Sequence, residues 1–460
     1  MSAVDLAIIG AGPAGMAAAV TAADLGMRVS VLDEQPEPGG QIYRGIESLS
    51  KARPHHLEIV GADYARGVDV VKAFRSAAID YRPGTQVWSV DGEHVFYRSS
   101  DAAGSIIAKQ IIIATGAMER PFPLPGWTLP GVLSCGAAQT AFKAAGLVPD
   151  GDVVLAGSGP LLLLIAAQLV RAGVRPRMIL ETSFNVGAAL SHLPRFLTAP
   201  GYFAKGLRLL RELKRSGVQI HKRVSAVKIN GDDRVRAIQY ECNGVVREER
   251  ADVVLLHHGI VPNGNLAWAS RINHEWDERQ RCFRPVLDAW GRSSLNGLMV
   301  AGDSGGIVGA VASEHAGGIA ALAAGAACGH ITADEQERRA APLRKDYAKH
   351  LAARPFLDAL YKPALRWIAP PDVETIVCRC EEITAGAIRK VASEHDCPGP
   401  NQLKAFMRCG MGPCQGRMCG LTVVELLAES RGVSPADIGY YRIRSPIKPV
   451  TVGELAALEL

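Results

Sequence analysis

No stretch of this sequence stays apolar long enough to cross a bilayer. The most apolar run, VVLAGSGPLLLLIAAQLV (153–170), is broken by Gly-Ser-Gly-Pro and reads as strand, turn and helix. Lys and Arg form no block, and a formal charge of +5 over 460 residues is too small to argue for a nucleic-acid footprint. The N-terminus, MSAVDLAIIGAG, lacks a basic segment ahead of an apolar core, so no secretory signal is expected. The ten cysteines are not spread as a disulfide framework; six lie between 378 and 419. That clustering points to a reducing, cytoplasmic setting and to metal. No Cys-x-x-Cys pair stands near the glycine turns described below. The candidate stretches are QIYRG (41–45) and VLSCGAAQT, with its lone Cys135. Internal dithiol chemistry is thereby excluded. No Ser/His/Asp set suggests hydrolysis, and no acid–base dyad is evident. Hydrophobic residues make up 48% and charged ones 21%, which excludes disorder and allows two or three domains with buried cores.

Glycine, at 48 residues, is plentiful, and its placement is informative. VDLAIIGAGPAGMAAAVTAADLGMRVSVLDEQ (4–35) reads as strand, turn, helix, strand. Gly10, Gly12 and Gly15 have the G-x-G-x-x-G spacing, with Pro13 and Ala14 opening the helix. The first glycine allows the tight turn and the second lets a pyrophosphate reach the backbone. The third lets the helix lie close to the sheet. The phosphates then face free N–H groups at the helix N-terminus. Asp33, followed by Glu34, ends the second strand, where an acid accepts hydrogen bonds from ribose hydroxyls.

A second copy of this plan occupies 151–181. GDVVLAGSGPLLLLIAAQLVRAG repeats strand, turn and helix, and RMILE ends on Glu181. Gly157 and Gly159 are in place, but Leu162 stands at the third position, where it needs the helix to move or the neighbours to repack. Two readings stay open: an NAD site, favoured over NADP by Glu181, or a retained fold whose ligand is lost or changed. His257 and His258, adjacent on the apolar strand LLHHGIVPNGNL, are expected to face opposite ways as packing residues.

Six thiols stand in 42 residues near the end: Cys378 and Cys380 in CRC, the separate Cys397, then Cys409, Cys414 and Cys419 in RCGMGPCQGRMCG. Cys-x-Cys is too tight for an ordinary zinc knuckle. Two thiolate pairs on loops, with glycine N–H groups beside them, suit a 2Fe–2S cluster better. ITAGAIRKVASEH and PNQLKAFMRCG between the pairs read as helices, and Cys397 in HDCPGP reads as a turn residue.

These motifs carry resemblances. The first turn, IIIATGA (111–117) and LNGLMVAGDSGG (295–306) together resemble the glutathione-reductase-like flavoproteins with two dinucleotide domains. The resemblance implies FAD, with Ala114, Thr115 and Gly116 passing near it and Gly302 and Asp303 on its ribityl and pyrophosphate side. PGGQIYR (38–44) resembles the segment that approaches the flavin, which nominates Gly40 and Gln41. Residues 374–430 resemble the bacterioferritin-associated-ferredoxin-like (BFD-like) 2Fe–2S domain. There the second cysteine pair follows a Gly-x-Gly turn, here Gly410-Met411-Gly412. The implied ligands are Cys378, Cys380, Cys414 and Cys419, with Cys409 outside the set.

The whole chain, including LPGWTLPGV, CRCEE, QLKAF and IKPVTVGELAALE, resembles the larger flavoprotein subunits of heteromeric opine and amino-acid dehydrogenases. The expected architecture is α/β. A discontinuous FAD domain covers 1–125 and 285–332, and an NAD(P)-binding-like domain covers 126–284. A helical linker follows at 333–373, a BFD-like domain at 374–435 and a tail at 436–460. The resemblance implies an FAD-dependent oxidoreductase subunit that passes electrons. Amine oxidation would fall to a D-amino-acid-oxidase-like partner, with a further flavin (FAD or FMN) on or shared with that partner. A small ferredoxin-like subunit belongs to some such complexes. The competing expectations are a self-sufficient NADH-dependent FAD oxidoreductase and a structural subunit with vestigial sites.

Overall fold

The computed structural model describes residues 3–100, 103–183 and 185–458. Its first sheet is built on Ala3–Ile9, flanked in parallel by Val29–Leu32 on one side and the long strand Ala103–Ile113 on the other. Asp80–Arg82 extends one edge, and Leu298–Val300 pairs with the far end of Ala103–Ile113. These strands read as nearly continuous apolar runs because both faces of the sheet are covered. The register places Ile9 beside both Leu32 and Ile113, and Ile113 beside Val300. Gly10, Asp33, Ala114 and Ala301 therefore leave the sheet at one edge, the carboxyl end where such sheets take ligands.

Helices Pro13–Asp24 and Ala310–Ala327 pack on one face through small residues. A Cβ at Gly317 would stand 2.0 Å from the Ala14 carbonyl oxygen, so the two backbones touch.

The chain crosses to the second sheet on Ala117–Glu119 and returns on Ile260–Pro262, and these two strands pair antiparallel. The second sheet is parallel, in the order 219–222, 178–181, 153–158, 253–258 and 132–134, with a three-stranded antiparallel sheet (224–250) beside it. The return comes earlier than the expected boundary at 284. Leu266, Ala267 and Ile272 are apolar and pack into the core of the first sheet, which draws 263–284 back to it.

Helices Ala333–Leu351, Arg354–Leu360 and Leu365–Ile368 form the linker. The C-terminal unit is a short hairpin (Ile376–Cys378 with Ile383–Thr384) and helices Ala385–Glu394, Pro400–Met407 and Gly420–Arg431. It does not stand apart. Val377, Ile388, Leu403 and Leu427 share one core with Ile9, Val90 and Ile113 of the first sheet. Each such fully buried Leu or Ile contributes about 1.5–3 kcal/mol.

Polar contacts fix the same interface. Arg281 donates to both oxygens of Glu425 at 3.0 and 2.5 Å, and Glu425 is 1% exposed. Trp127 Nε1 donates to the Ile376 carbonyl at 2.7 Å. The tail runs back over the first domain: the Ile447 N–H donates to the Trp88 carbonyl at 3.0 Å, and Lys448 pairs with Glu34 at 2.6 Å. Among the described residues no helix is long and apolar enough to cross a membrane.

Candidate cofactor sites

The first glycine turn is sterically committed. Gly10 has φ +105°, and a Cβ there would lie 2.6 Å from the Ala114 carbonyl oxygen. A Cβ at Gly15 would lie 1.8 Å from the Gly10 carbonyl oxygen, so the helix starts against its own turn. Gly12 differs, since a Cβ there would meet only the Gly40 Cα, at 3.8 Å. That open side is what a pyrophosphate needs. Gly40, at φ +59°, closes against Gly12 from the 38–44 loop. The nominated residues of three distant segments thus meet at one place.

Asp33 is 6% exposed and accepts from the Ala11 N–H at 3.2 Å and the Gln35 N–H at 3.1 Å. Burial pushes its carboxyl up to about 6, against the pull of those two N–H groups. A group this poorly solvated gains from any further donor, and ribose hydroxyls are such donors. Glu34 turns outward to Lys448. Asp303 accepts through one oxygen from the Val308 and Gly309 N–H groups, both at 2.8 Å, and so braces the loop before helix 310–327. Its residue neighbour Gly302, at φ +74°, sits against Ala14 of the first helix. Thr115 Oγ1 donates to the Asn263 carbonyl at 2.9 Å, and the Asn263 N–H donates to the Gly116 carbonyl at 2.9 Å. The Ala-Thr-Gly turn is thereby tied to the strand returning from the second domain.

Lys143 escaped the sequence reading. It lies on helix Cys135–Ala145 of the second domain, is 3% exposed, and donates to the Gln41 and Ile42 carbonyls and to Gln139 Oε1. Burial draws its ammonium down to about 7. It clamps the flavin-side loop to the second domain, while the Gln41 side chain stays exposed. A lone lysine in the small-residue helix CGAAQTAFKAA was the available signal.

In the second nucleotide fold, Leu162 is absorbed without a gap. It is 1% exposed and packs with Leu155 and Ile165. Gly157 and Gly159 keep positive φ, and a Cβ at Gly157 would stand 1.6 Å from the His257 carbonyl oxygen. Glu181 is 3% exposed, and burial lifts its carboxyl to about 7. The linker lies over that end of the sheet. The Asn185 N–H donates to the Leu360 carbonyl at 2.8 Å, and Phe356 stacks on Phe196 at 4.2 Å. His257 and His258 do not alternate between core and solvent. Both are buried, because both faces of the strand are covered. His258 stacks on Phe122 at 4.3 Å, and His257 Nδ1 lies 2.6 Å from Glu119 Oε1. Glu119 also accepts from the Gly136 N–H at 2.7 Å, a partner that no sequence spacing revealed.

Five of the six C-terminal thiols fall in two groups. Cys378, Cys409 and Cys419 are buried, with their sulfurs all within 4.8 Å of one another. Cys380 and Cys414 stand toward the surface, 3.9 Å apart. Two of the expected ligands, Cys378 and Cys419, lie in the buried group and two, Cys380 and Cys414, in the outer one. Cys409, expected outside the ligand set, nonetheless stands beside two of its members: the left-handed Arg408 (φ +60°) and Gly410 (φ +85°) fold the chain back and turn its thiol inward. The Cys409 and Cys419 thiols, then the Gly410 and Glu381 N–H groups, point at Cys378 and hold it far below the usual thiol range. The hydrogen bond to Cys378 in turn pushes Cys409 up to about 12.

Two features of this site fit an iron–sulfur group. A Cβ at Gly412 would stand 2.3 Å from the Cys380 Cβ, so only glycine lets the ligand loops approach. The buried Tyr441 hydroxyl has no partner among the described residues that meets hydrogen-bond geometry, although it faces Cys409. Soft thiolates with glycine N–H groups beside them are the donor set of a 2Fe–2S centre.

Comparison with known proteins agrees. Residues 4–317 match the family described as pyridine nucleotide-disulphide oxidoreductase, and 376–429 match the BFD-like [2Fe-2S] binding domain. Over 465 residues the chain is 46% identical to the A subunit of opine oxidase from Rhizobium meliloti, covering 99% of this chain and 87% of that one. The chain belongs to the family of opine oxidase A subunits. The Agrobacterium tumefaciens member is also 46% identical, over 99% of this chain and 92% of its own. Hydrogen cyanide synthase subunit HcnB of Pseudomonas aeruginosa is 32% identical over 96% of each chain. Among solved structures, L-proline dehydrogenase from P. horikoshii shares the fold, with a TM-score of 0.73 over 98% of this chain and 79% of that chain at 19% identity. FAD and a 2Fe–2S centre are the cofactors of this family member, and the residues described above fit both.

Proposed function

We propose that this chain is the flavoprotein and iron–sulfur subunit of a heteromeric dehydrogenase that oxidises the C–N bond of an opine or amino acid in a separate subunit. The observation that carries this reading is the short connection between the two sites. Asn263 accepts from Thr115 at the flavin turn. Two residues on, Asn265 Nδ2 lies 3.5 and 3.4 Å from the Cys414 and Gln415 carbonyls of the thiol loop. When bound, FAD takes an electron pair and releases it singly, and a 2Fe–2S centre carries one electron at a time.

Each part of the chain has a role in that relay. The turn Gly10–Gly15 and Asp33 bind the adenosine and pyrophosphate side of FAD, and Asp303 holds the loop that faces its ribityl chain. Lys143 fixes the 38–44 loop through the Gln41 and Ile42 carbonyls. Cys378, Cys380, Cys414 and Cys419 hold iron, with Cys409 against them. The shared core and the Arg281–Glu425 pair keep the two sites at a constant separation. The partner is a D-amino-acid-oxidase-like flavoprotein, with a second flavin on or shared with it. A small ferredoxin-like subunit completes the complex.

The competing reading is a self-sufficient NADH oxidoreductase. It draws support from the intact Gly157–Gly159 turn and the well-packed Leu162, and is opposed by the burial of Glu181. Anaerobic titration of the purified chain with NADH separates the two. The flavin absorbance should hold with NADH alone and bleach once the partner and its amine substrate are added. Rapid bleaching by NADH without a partner defeats the relay reading.

A further inference from the structure

Tyr441 lies outside the matched cluster domain, which ends at 429, yet its side chain completes the floor of the thiol site. It is 1% exposed and belongs to the core that holds Cys378, Cys409 and Cys419. The ring fits only because two turns of the cysteine loop are glycine. A Cβ at Gly410 would meet its Cζ at 2.5 Å and its hydroxyl at 2.8 Å, and a Cβ at Gly416 would meet its Cδ2 at 2.7 Å. Its backbone is held as firmly. The Arg442 N–H donates to Asn401 Oδ1 at 2.8 Å, and Asn401 Nδ2 donates to the Tyr440 carbonyl at 3.2 Å. Tyr440 is wedged on Trp268 at 5.2 Å.

A tyrosine hydroxyl buried without a partner carries an uncompensated desolvation cost. Phenylalanine would fill the same space without that cost. The hydroxyl faces the Cys409 sulfur, which in turn donates to Cys378, a thiolate that becomes electron-rich when iron is bound.

We infer that Tyr441 donates an O–H···S hydrogen bond to the Cys409 sulfur, which backs the Cys378 thiolate, and thereby sets the reduction potential of the iron–sulfur site. The inference rests on the reading that the thiols hold a 2Fe–2S centre. Reduction adds one electron and no proton, and the added negative charge spreads onto the sulfurs. A donor at sulfur stabilises the reduced form more than the oxidised one and so raises the potential. Tyr441 is a positioning residue of the tail, acting on the cluster's electronics, not a ligand.

The test uses the full chain purified anaerobically, with iron and acid-labile sulfide assayed and the reduced-cluster paramagnetic resonance followed through a redox titration. Tyr441→Phe should keep wild-type iron and sulfide and shift the one-electron equilibrium about tenfold toward the oxidised form, which is about 59 mV lower. Full cluster content with a shift under twofold overturns the inference. If Tyr441→Phe cannot hold the cluster, 3-fluorotyrosine placed at 441 keeps the shape and strengthens the donor. The potential must then rise, and an unchanged or lower value overturns the inference. Wild-type chain lacking iron and sulfide overturns the cluster reading itself, and is seen before any variant is made.

Discussion

The acid that ends the second strand gives FAD binding a pH dependence that can be worked out from the structure. Burial raises the Asp33 carboxyl from 3.8 to about 6. In the unfolded chain it returns to the ordinary value, so folding without cofactor takes up a proton between these limits. Asp33 therefore favours the empty fold most at low pH. This contribution falls by about 3 kcal/mol as pH rises from about 4 to about 6, two pH units at 1.36 kcal/mol each. Ribose hydroxyls donate to the carboxylate and favour its ionised form. Below about pH 6, FAD must then displace a proton, and its dissociation constant should weaken toward tenfold for each unit of pH. Fluorescence quenching of FAD titrated into cofactor-stripped chain measures this directly. Between pH 7.5 and pH 5.0 the constant should weaken about tenfold. Asp33→Asn should bind more weakly at pH 7.5 and lose most of the slope. A wild-type constant that is flat over this range, or an Asp33→Asn variant with the wild-type slope, would show that Asp33 does not face the ribose.

Other consequences are read from single contacts. Gly15→Ala puts a methyl 1.8 Å from the Gly10 carbonyl oxygen and forces helix 13–24 off its sheet. FAD retention should fall at least tenfold, as measured by the flavin-to-protein absorbance ratio after gel filtration, at a cost of about 1–3 kcal/mol in stability. Glu425→Ala leaves the Arg281 guanidinium to Glu278 alone, at 3.2 Å, and should lower stability by about 1.5–3 kcal/mol in chemical denaturation. Arg281→Met with Glu425→Leu together should recover most of the loss. Cys414→Ser should abolish the visible cluster absorption, whereas Cys409→Ser should keep it. Loss in the second variant would make Cys409 a ligand.

What could be read in the sequence was whatever depends on neighbours along the chain. The turn Gly10–Gly15, the strand before it and the acid after it are one local unit whose geometry needs no distant partner. Its residues stand where the spacing placed them, and Leu162 could be flagged because the same unit recurs. The thiol loop was legible for the same reason, down to Gly412, whose missing Cβ admits Cys380. The rest depends on contacts between segments hundreds of residues apart. Glu119 reaches His257 across 138 positions and Thr115 reaches Asn263 across 148. Lys143 finds the 41–42 carbonyls only because the two domains close on each other. Cys409 shows the limit within a single motif. Its neighbours suggested a bystander, but a left-handed arginine and a left-handed glycine turned its thiol inward, and spacing does not encode the sign of φ at Arg408. Tyr441 marks the same limit at domain scale. Nothing in GYYRIR announces a partner for iron and sulfur, and its place at the thiols exists only once the tail has wrapped back over the first sheet. The features that make the sites functional together, as opposed to merely present, are these long-range closures, and substitutions there should leave cofactor content intact while changing how electrons pass between the sites.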